Sequence, residues 1–435
     1  MYLTVRLIFK NNPRSEEIAI LSAIIFGVHP IAVESVAWIC GRTDPLATMW
    51  GLLAFWLYLS ARLKNRWYLL PFSLFCILAS ALSKEVGVAI PIIIAVWETA
   101  YSRIYWNVTM GKKKIIFIVS TAIIPAYILL RLIFLDAKDM SLGLIKGGIS
   151  SDIPSSTLAF LASFGFYIKK FIYPFPLELV IEDINIPIYA FFGFAVIMFL
   201  VISICINSLR KYSFFLLWAL LGIGPAALIS FTDIAWTRWA ERYLYFSLVP
   251  LSVMTSMAYF EVTDRLSYEK KRVASIVGIG LLVSLALATY HRSRLWNDNL
   301  SFWTDAYNKS PDSINVSVTY SRSLIESKME TEAEKVLYKA LDLNGPKHQV
   351  VYDLANISRS RGDFEKAEEY YNEALSEAKS DKRFILEGAR FKSRILLSMG
   401  ELKIGQAVKI DDNEQKKVLH LKGIDFMDQA YLNNT

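Results

Sequence analysis

Charge is scarce over the first two thirds of this 435-residue chain, where residues 1 to 290 hold 42 Lys, Arg, Asp and Glu side chains against 45 in the remaining 145. So little charge cannot cover the apolar surface that 26 Phe, 11 Trp and a mean hydropathy of +0.36 imply, which excludes a water-soluble enzyme over that stretch. Cysteine is nearly absent. Cys40, Cys76 and Cys205 all sit in or beside apolar runs, so neither a disulfide framework nor a Cys/His metal spacing exists. Phosphate-cradling glycine loops, dinucleotide fingerprints and the nucleophile elbow of serine hydrolases are missing as well. The 25 basic groups of residues 1 to 290 come in small clusters between apolar runs, not as one stripe on a polar domain, so nucleic acid is not the expected partner.

What is present reads as two materials, a polytopic membrane domain over 1–290 and a soluble domain over 291–435. A span needs about 20 mostly apolar residues. On that criterion nine are expected, at 17–39, 45–62, 67–83, 86–102, 115–134, 189–207, 212–230, 243–260 and 273–290. Basic clusters at 10–14, 62–66, 103 with 112–114, 210–211 and 270–272 mark every second junction, which the positive-inside tendency assigns to the cytoplasm. The remaining junctions, and everything after 290, then face the other side. The stretch 157–173 would invert this count if it spanned. With Lys169 and Lys170 near its end it is expected to lie in the outer interface.

In the second domain Ala333, Ala340 and Leu341 recur 34 residues later as Ala367, Ala374 and Leu375. That period, with Tyr371 between the second pair of alanines, is the signature of tetratricopeptide helix pairs. The fold class expected is therefore all-α, a helical membrane domain followed by an α-solenoid.

Chemistry is expected where ionisable groups persist against an insertion cost of about 2.5 to 3.5 kcal/mol each. Such groups gather at the outer junctions: His29 and Glu34, Arg42 and Asp44, Lys84 and Glu85, then Arg238, Glu241 and Arg242. Pro30 removes a backbone donor and can unwind the helix that carries Glu34. Two readings stand at each place. Glu34, Arg42 and Asp44 serve either as base and phosphate clamp or as interfacial and capping residues. Lys84 with Glu85 is either a self-neutralising hairpin pair or an anion contact, and the Arg238 to Arg242 segment, rich in Trp and Tyr, also suits an aromatic belt.

Four motifs in order, HPIAVESVAWICGRTDPLA, LSKEVG, YIKKFIYPFPLELV and AERYLYFSLVPL, stand ahead of the repeats. Together they resemble the transmembrane-and-tetratricopeptide-repeat proteins, members of the GT-C superfamily of polytopic glycosyltransferases. The resemblance implies a sugar taken from a polyprenyl or dolichyl phosphate donor and passed, outside the cytoplasm, to a Ser or Thr hydroxyl of a protein. It implies Arg42, Lys84, Arg238 and Arg242 at the donor phosphate, with Glu34, Asp44 and Glu241 as catalytic or orienting carboxylates. His29 and Glu85 fall on the acceptor side, and an acceptor chain lies along the repeats. No resident cofactor is implied, although a divalent metal is compatible with the reaction. Family members also resemble one another in an earlier outer loop with an acidic pair. The first ten residues look like the tail of the span that follows that loop, so the sequence is expected to start one span late. Two other functions fit the same features, a non-catalytic membrane scaffold and a ligase using a lipid diphosphate.

Overall fold

A computed structural model describes residues 1–106, 127, 152–181, 184–231, 239–380 and 387–432. The described residues are all-α, with one isolated antiparallel bridge between Ile181 and Trp239. Contacts divide the chain into two compact units, Met1–Trp296 and Asn297–Thr435.

The first unit contains α1 (Tyr2–Ile8), α2 (Ser15–Val28), α3 (Ala32–Ala37), α4 (Thr43–Lys64), α5 (Leu70–Ser83), α6 (Ala89–Val96) and α7 (Ser102–Trp106). After the undescribed segment come α8 (Ile153–Ile172), α9 (Ile186–Cys205), α10 (Arg210–Leu228), α11 (Tyr245–Asp264) and α12 (Tyr268–Arg294). Among the described residues six helical stretches are long and apolar enough to cross a membrane: Ile39–Lys64, Glu85–Trp106, Ile186–Cys205, Arg210–Phe231, Glu241–Asp264 and Tyr268–Arg294. Trp67–Ser83 is apolar but shorter. The expected span at 115–134 lies outside the described residues apart from Tyr127.

The stretch 17–39 corrects the sequence reading, because it is not one continuous helix. His29 precedes Pro30 and is extended at ψ 124°, as the residue before a proline prefers, so α2 stops after 14 residues. At 1.5 Å per residue α2 reaches only about 21 Å, and α3 restarts the chain in a new direction carrying Glu34. The stretch expected at the interface belongs to α8, which is not among the six. It runs antiparallel against α9 at very close range. A methyl group on Gly193 would fall 1.9 Å from the Leu161 carbonyl oxygen, and one on Gly165 would fall 2.1 Å from that of Tyr189.

The core of this unit is aromatic: Phe55, Trp97, Phe214 and Trp218 pack with ring centroids 5.2 to 6.3 Å apart, edge to face except for the tilted pair of Phe55 and Phe214. The outward surface is apolar too. Phe191, Phe192 and Phe194 of α9 are half exposed or more, and none of the central apolar stretch of α12 is buried. Such surfaces are satisfied by hydrocarbon and not by water.

The second unit stacks α13 (Asn299–Lys309), α14 (Ile314–Glu326), α15 (Glu330–Leu341), α16 (His348–Ser360), α17 (Phe364–Ser380), α18 (Glu387–Val408) and α19 (Asn413–Leu432). The periodic alanines Ala333, Ala340, Ala367 and Ala374 are all fully buried, where small side chains let neighbouring helices approach and join one repeat's core to the next. Asp353 of α16 is buried and accepts from Arg322 of α14, at 2.8 Å from Nε and 3.3 Å from Nη2. Burial nonetheless dominates and pushes its carboxyl from the ordinary 3.8 up to about 6, with Arg322 pulling the other way.

Two expectations follow from this packing. Gly193→Ala must force α8 and α9 apart against backbone, lowering the thermal midpoint in detergent by an overpacking cost of about 1 to 3 kcal/mol. Gly224→Ala, where nothing lies within 4 Å, should leave the midpoint unchanged or raised. In the repeats, a folded pKa above the unfolded value means that the Asp353 contribution is fully present below about pH 4 and is lost as pH rises through 6. Hydrogen exchange along α16 in the full chain, corrected for intrinsic rates, should show protection falling across that window. The fall should be absent in Asp353→Asn.

Candidate functional site

Two sets of charges gather at opposite ends of the first unit's helices. At one end three of the basic junctions meet. The Arg14 Nε donates to Asp264 at 2.8 Å, Lys271 lies 3.4 Å from the same carboxylate, and Lys211 pairs with Glu261. At the other end lie all the described residues that the sequence singles out.

There the chain presents four turns. The His29-Pro30 break turns α2 into α3; a 3-10 turn at Ile39–Arg42 leads into α4; the hairpin between α5 and Glu85–Val88 carries Lys84; and the 3-10 turn Glu241–Leu244 opens α11. The Lys84 hairpin is tight because Gly87 lets its backbone touch the end of α5, where a methyl group would lie 2.4 Å from the Ala81 nitrogen. Glu34 accepts twice from Arg242, 3.0 Å from its backbone nitrogen and 2.5 Å from Nη1. Asp44 takes both oxygens to Lys84 Nζ at 2.6 Å. The two ion pairs share Tyr243, with Lys84 Nζ 5.3 Å and the Arg242 guanidinium 4.9 Å from its ring centre, and Trp38 covers the same guanidinium at 5.0 Å.

Exposure gives this cluster its direction. The carboxylates are sunk, with side chains 5 and 4 % exposed, while Arg242 and Lys84 keep 20 and 21 %. Two cations therefore face outward, each backed by a buried carboxylate that fixes its position and offsets the cost of holding it beside apolar helices. An anion seated on them would meet two positive groups already oriented, one of them a planar fork suited to phosphate oxygens.

Glu241 is elsewhere. Its carboxylate accepts from Lys170 Nζ at 3.0 Å, from the Glu178 backbone nitrogen at 3.0 Å and from Arg292 Nη2 at 3.2 Å. Arg292 also donates to the carbonyls of Leu177 and Glu178, and Lys170 to that of Pro176. Every charged member of this network except Glu178 is buried. It joins α8, the strand-like loop after it, the start of α11 and the end of α12, and so fixes the residue before Arg242. Sequence reasoning missed Lys170 and Arg292. The only signal was a lysine next to Pro-rich sequence and an arginine closing an apolar helix, both of which also suit snorkelling.

The other sequence candidates fall outside the ion-paired cluster. His29 is buried, donates from Nε2 to the Phe171 carbonyl at 3.0 Å and stacks on Phe171, leaving Nδ1 facing the Ile31 nitrogen at 3.4 Å. Arg42 is exposed and folds back onto the Ile39 carbonyl at 2.8 Å, and Glu85 is exposed. Arg238 lies outside the described residues. Among the described residues no three His, Cys, Asp or Glu side chains converge as metal ligands.

Residues 348–381 match the tetratricopeptide repeat family. The chain is also 26 % identical, over 352 residues, to a protein O-mannosyl-transferase of Caenorhabditis elegans, an alignment covering 75 % of this chain and 46 % of that relative. The chain thus spans about half the length of the curated relative it matches. Both findings bear out the likeness to the transmembrane-and-tetratricopeptide-repeat O-mannosyltransferases.

The pairing of Glu34 with Arg242 can be measured as a coupling. Arg242→Gln leaves a buried carboxylate without its cation and should cost about 3 to 5 kcal/mol, read as a lowered unfolding midpoint in detergent. Adding Glu34→Gln to it should recover a large part of that loss. Additive effects of the two substitutions would show that the pair contributes nothing.

Proposed function

We propose that the Arg242 and Lys84 cluster binds the phosphate of a lipid-linked sugar, in a glycosyltransferase of the O-mannosylation kind that modifies Ser or Thr on the extracytoplasmic side. The observation that carries this reading is the pair of outward cations, each oriented by a buried carboxylate, at the end of helices that a bilayer would surround. A lipid phosphate can reach such a place from the membrane and a protein hydroxyl can reach it from water.

The reaction asks for negative charge to be stabilised as the lipid phosphate leaves. Arg242, stacked between Trp38 and Tyr243, contacts the phosphate through the guanidinium edge not used by Glu34. Lys84 supplies the second charge. Glu34 and Asp44 are positioning residues, since each already accepts two hydrogen bonds from its cation. Glu241 acts at one remove by holding the turn from which Arg242 projects. None of these three is assigned the proton-accepting role, for which the carboxylate would have to be left unoccupied by a cation. The second unit holds the acceptor as an extended chain along its inner face. A scaffold that binds lipid phosphate without transferring sugar is the competing reading, favoured by that same saturation of the three carboxylates.

Proteoliposomes decide between the two. Transfer of hexose from a polyprenyl-phosphate hexose to a Ser/Thr peptide is expected, with kcat/KM falling about 100-fold in Lys84→Ala and in Arg242→Ala. Donor phosphate should compete and donor diphosphate should not. Retained transfer in both variants would remove the cluster from the site, whereas donor binding without any transfer would favour the scaffold.

A further inference from the structure

The inner face of the second unit carries charge that the repeat architecture does not require. The first helices of successive pairs pack on one another, α14 on α16 and α16 on α18, and form one continuous face. Across it run Arg322 of α14, Asp353 and Asn356 of α16, and Arg390 and Arg394 of α18. Asp353 is sunk between helices and already held by Arg322, while the charge of Arg394 acts on the same carboxylate. One buried acid thus serves two arginines. Arg322 keeps 37 % of its side chain exposed, and Arg390 and Arg394 are exposed. Among the described residues neither Arg390 nor Arg394 forms an ion pair.

Asn356 belongs to the same cluster. Its Oδ1 accepts from the Tyr371 hydroxyl at 2.6 Å and its amide donates to the Asp353 carboxylate, so the buried acid is satisfied from two sides. Glu401 is paired with Arg359, while Glu326 accepts from the neutral Asn299 amide at 3.3 Å and keeps its charge. Around Asp353 the three arginines outnumber the one buried acid, so the face there is positive.

We infer that this face binds an extended acidic segment of protein, its carboxylates on Arg390 and Arg394 and on the exposed edge of Arg322. The inference rests on the reading of the second unit as the acceptor-holding part and adds the chemical class it selects. Arg390 and Arg394 stand one turn apart on α18, a separation of about 6 Å. An extended chain covers that distance in about two residues. The favoured segment accordingly carries acids two positions apart near its Ser and Thr.

Fluorescence anisotropy with the full chain in phosphatidylcholine nanodiscs tests this with three labelled 12-residue Ser/Thr peptides, bearing two Glu two positions apart, two Gln, or two Lys. The Glu peptide should bind at least tenfold more tightly than the Gln peptide, with the advantage shrinking as salt rises. Arg390→Gln and Arg394→Gln, both at exposed positions, should each weaken the Glu peptide about tenfold, and Arg394→Glu should shift preference toward the Lys peptide. Arg322→Gln strands the buried acid, so it is read only together with Asp353→Asn and with an unchanged unfolding midpoint. Equal binding of Glu and Gln peptides, no binding of either, or unchanged affinity in both α18 variants overturns the inference. Heparin displacing the Glu peptide at equal charge concentration, with no peptide selectivity, would also overturn it in favour of a general polyanion surface. No sugar donor is present in this assay, so its failure and failure of transfer in proteoliposomes are separate results.

Discussion

A carboxylate set beside apolar helices must be neutralised where it stands, and the candidate site of this protein is organised by that demand. Glu34 and Asp44 are held below the surface and each draws one cation against it. The cation is left with its remaining hydrogen-bonding capacity turned outward. This arrangement converts a desolvation penalty into orientation: Arg242 and Lys84 cannot swing away without leaving charge buried behind them. The aromatic contacts from Trp38 and Tyr243 narrow their freedom further.

Chain breaks place those carboxylates. Pro30 ends α2 early and gives Glu34 a short helix of its own, and the glycine-permitted hairpin before α6 turns Lys84 toward α4. The two pairs then meet across Tyr243, although Glu34 and Arg242 are 208 residues apart. Long apolar helices supply the frame, and short polar interruptions supply the candidate site.

Much of the frame was legible in the sequence because its signals are local. Apolar length marked the six long helices, and the 34-residue recurrence of Ala333 and Ala340 marked positions that are now seen to be buried. The charged residues at the candidate end were legible as a group, for the energetic reason that ionisable side chains rarely persist beside apolar runs. Their pairing was not. Nothing local tells Lys84 to choose Asp44 over its neighbour Glu85, or connects Lys170 and Arg292 with Glu241. The break at 29 and 30 was visible as a proline, yet the length criterion still joined both sides into one span. His29, which composition made conspicuous, proved to be committed to the Phe171 carbonyl.

The helix α12 has a further consequence. It is 27 residues long, about 40 Å, and no residue of its central apolar stretch is buried. It touches the rest of the unit through Ser275 on Tyr259 and Thr289 on the Val28 carbonyl, and at its end Arg292 is inserted into the buried network around Glu241. A helix so lightly held along its side adjusts to hydrocarbon thickness by tilting. Tilt of α12 would pull first on Arg292, then on Glu241, and so on the turn that carries Arg242. In a bilayer, a change of membrane thickness would thereby reach the Arg242 and Lys84 cluster through this one helix.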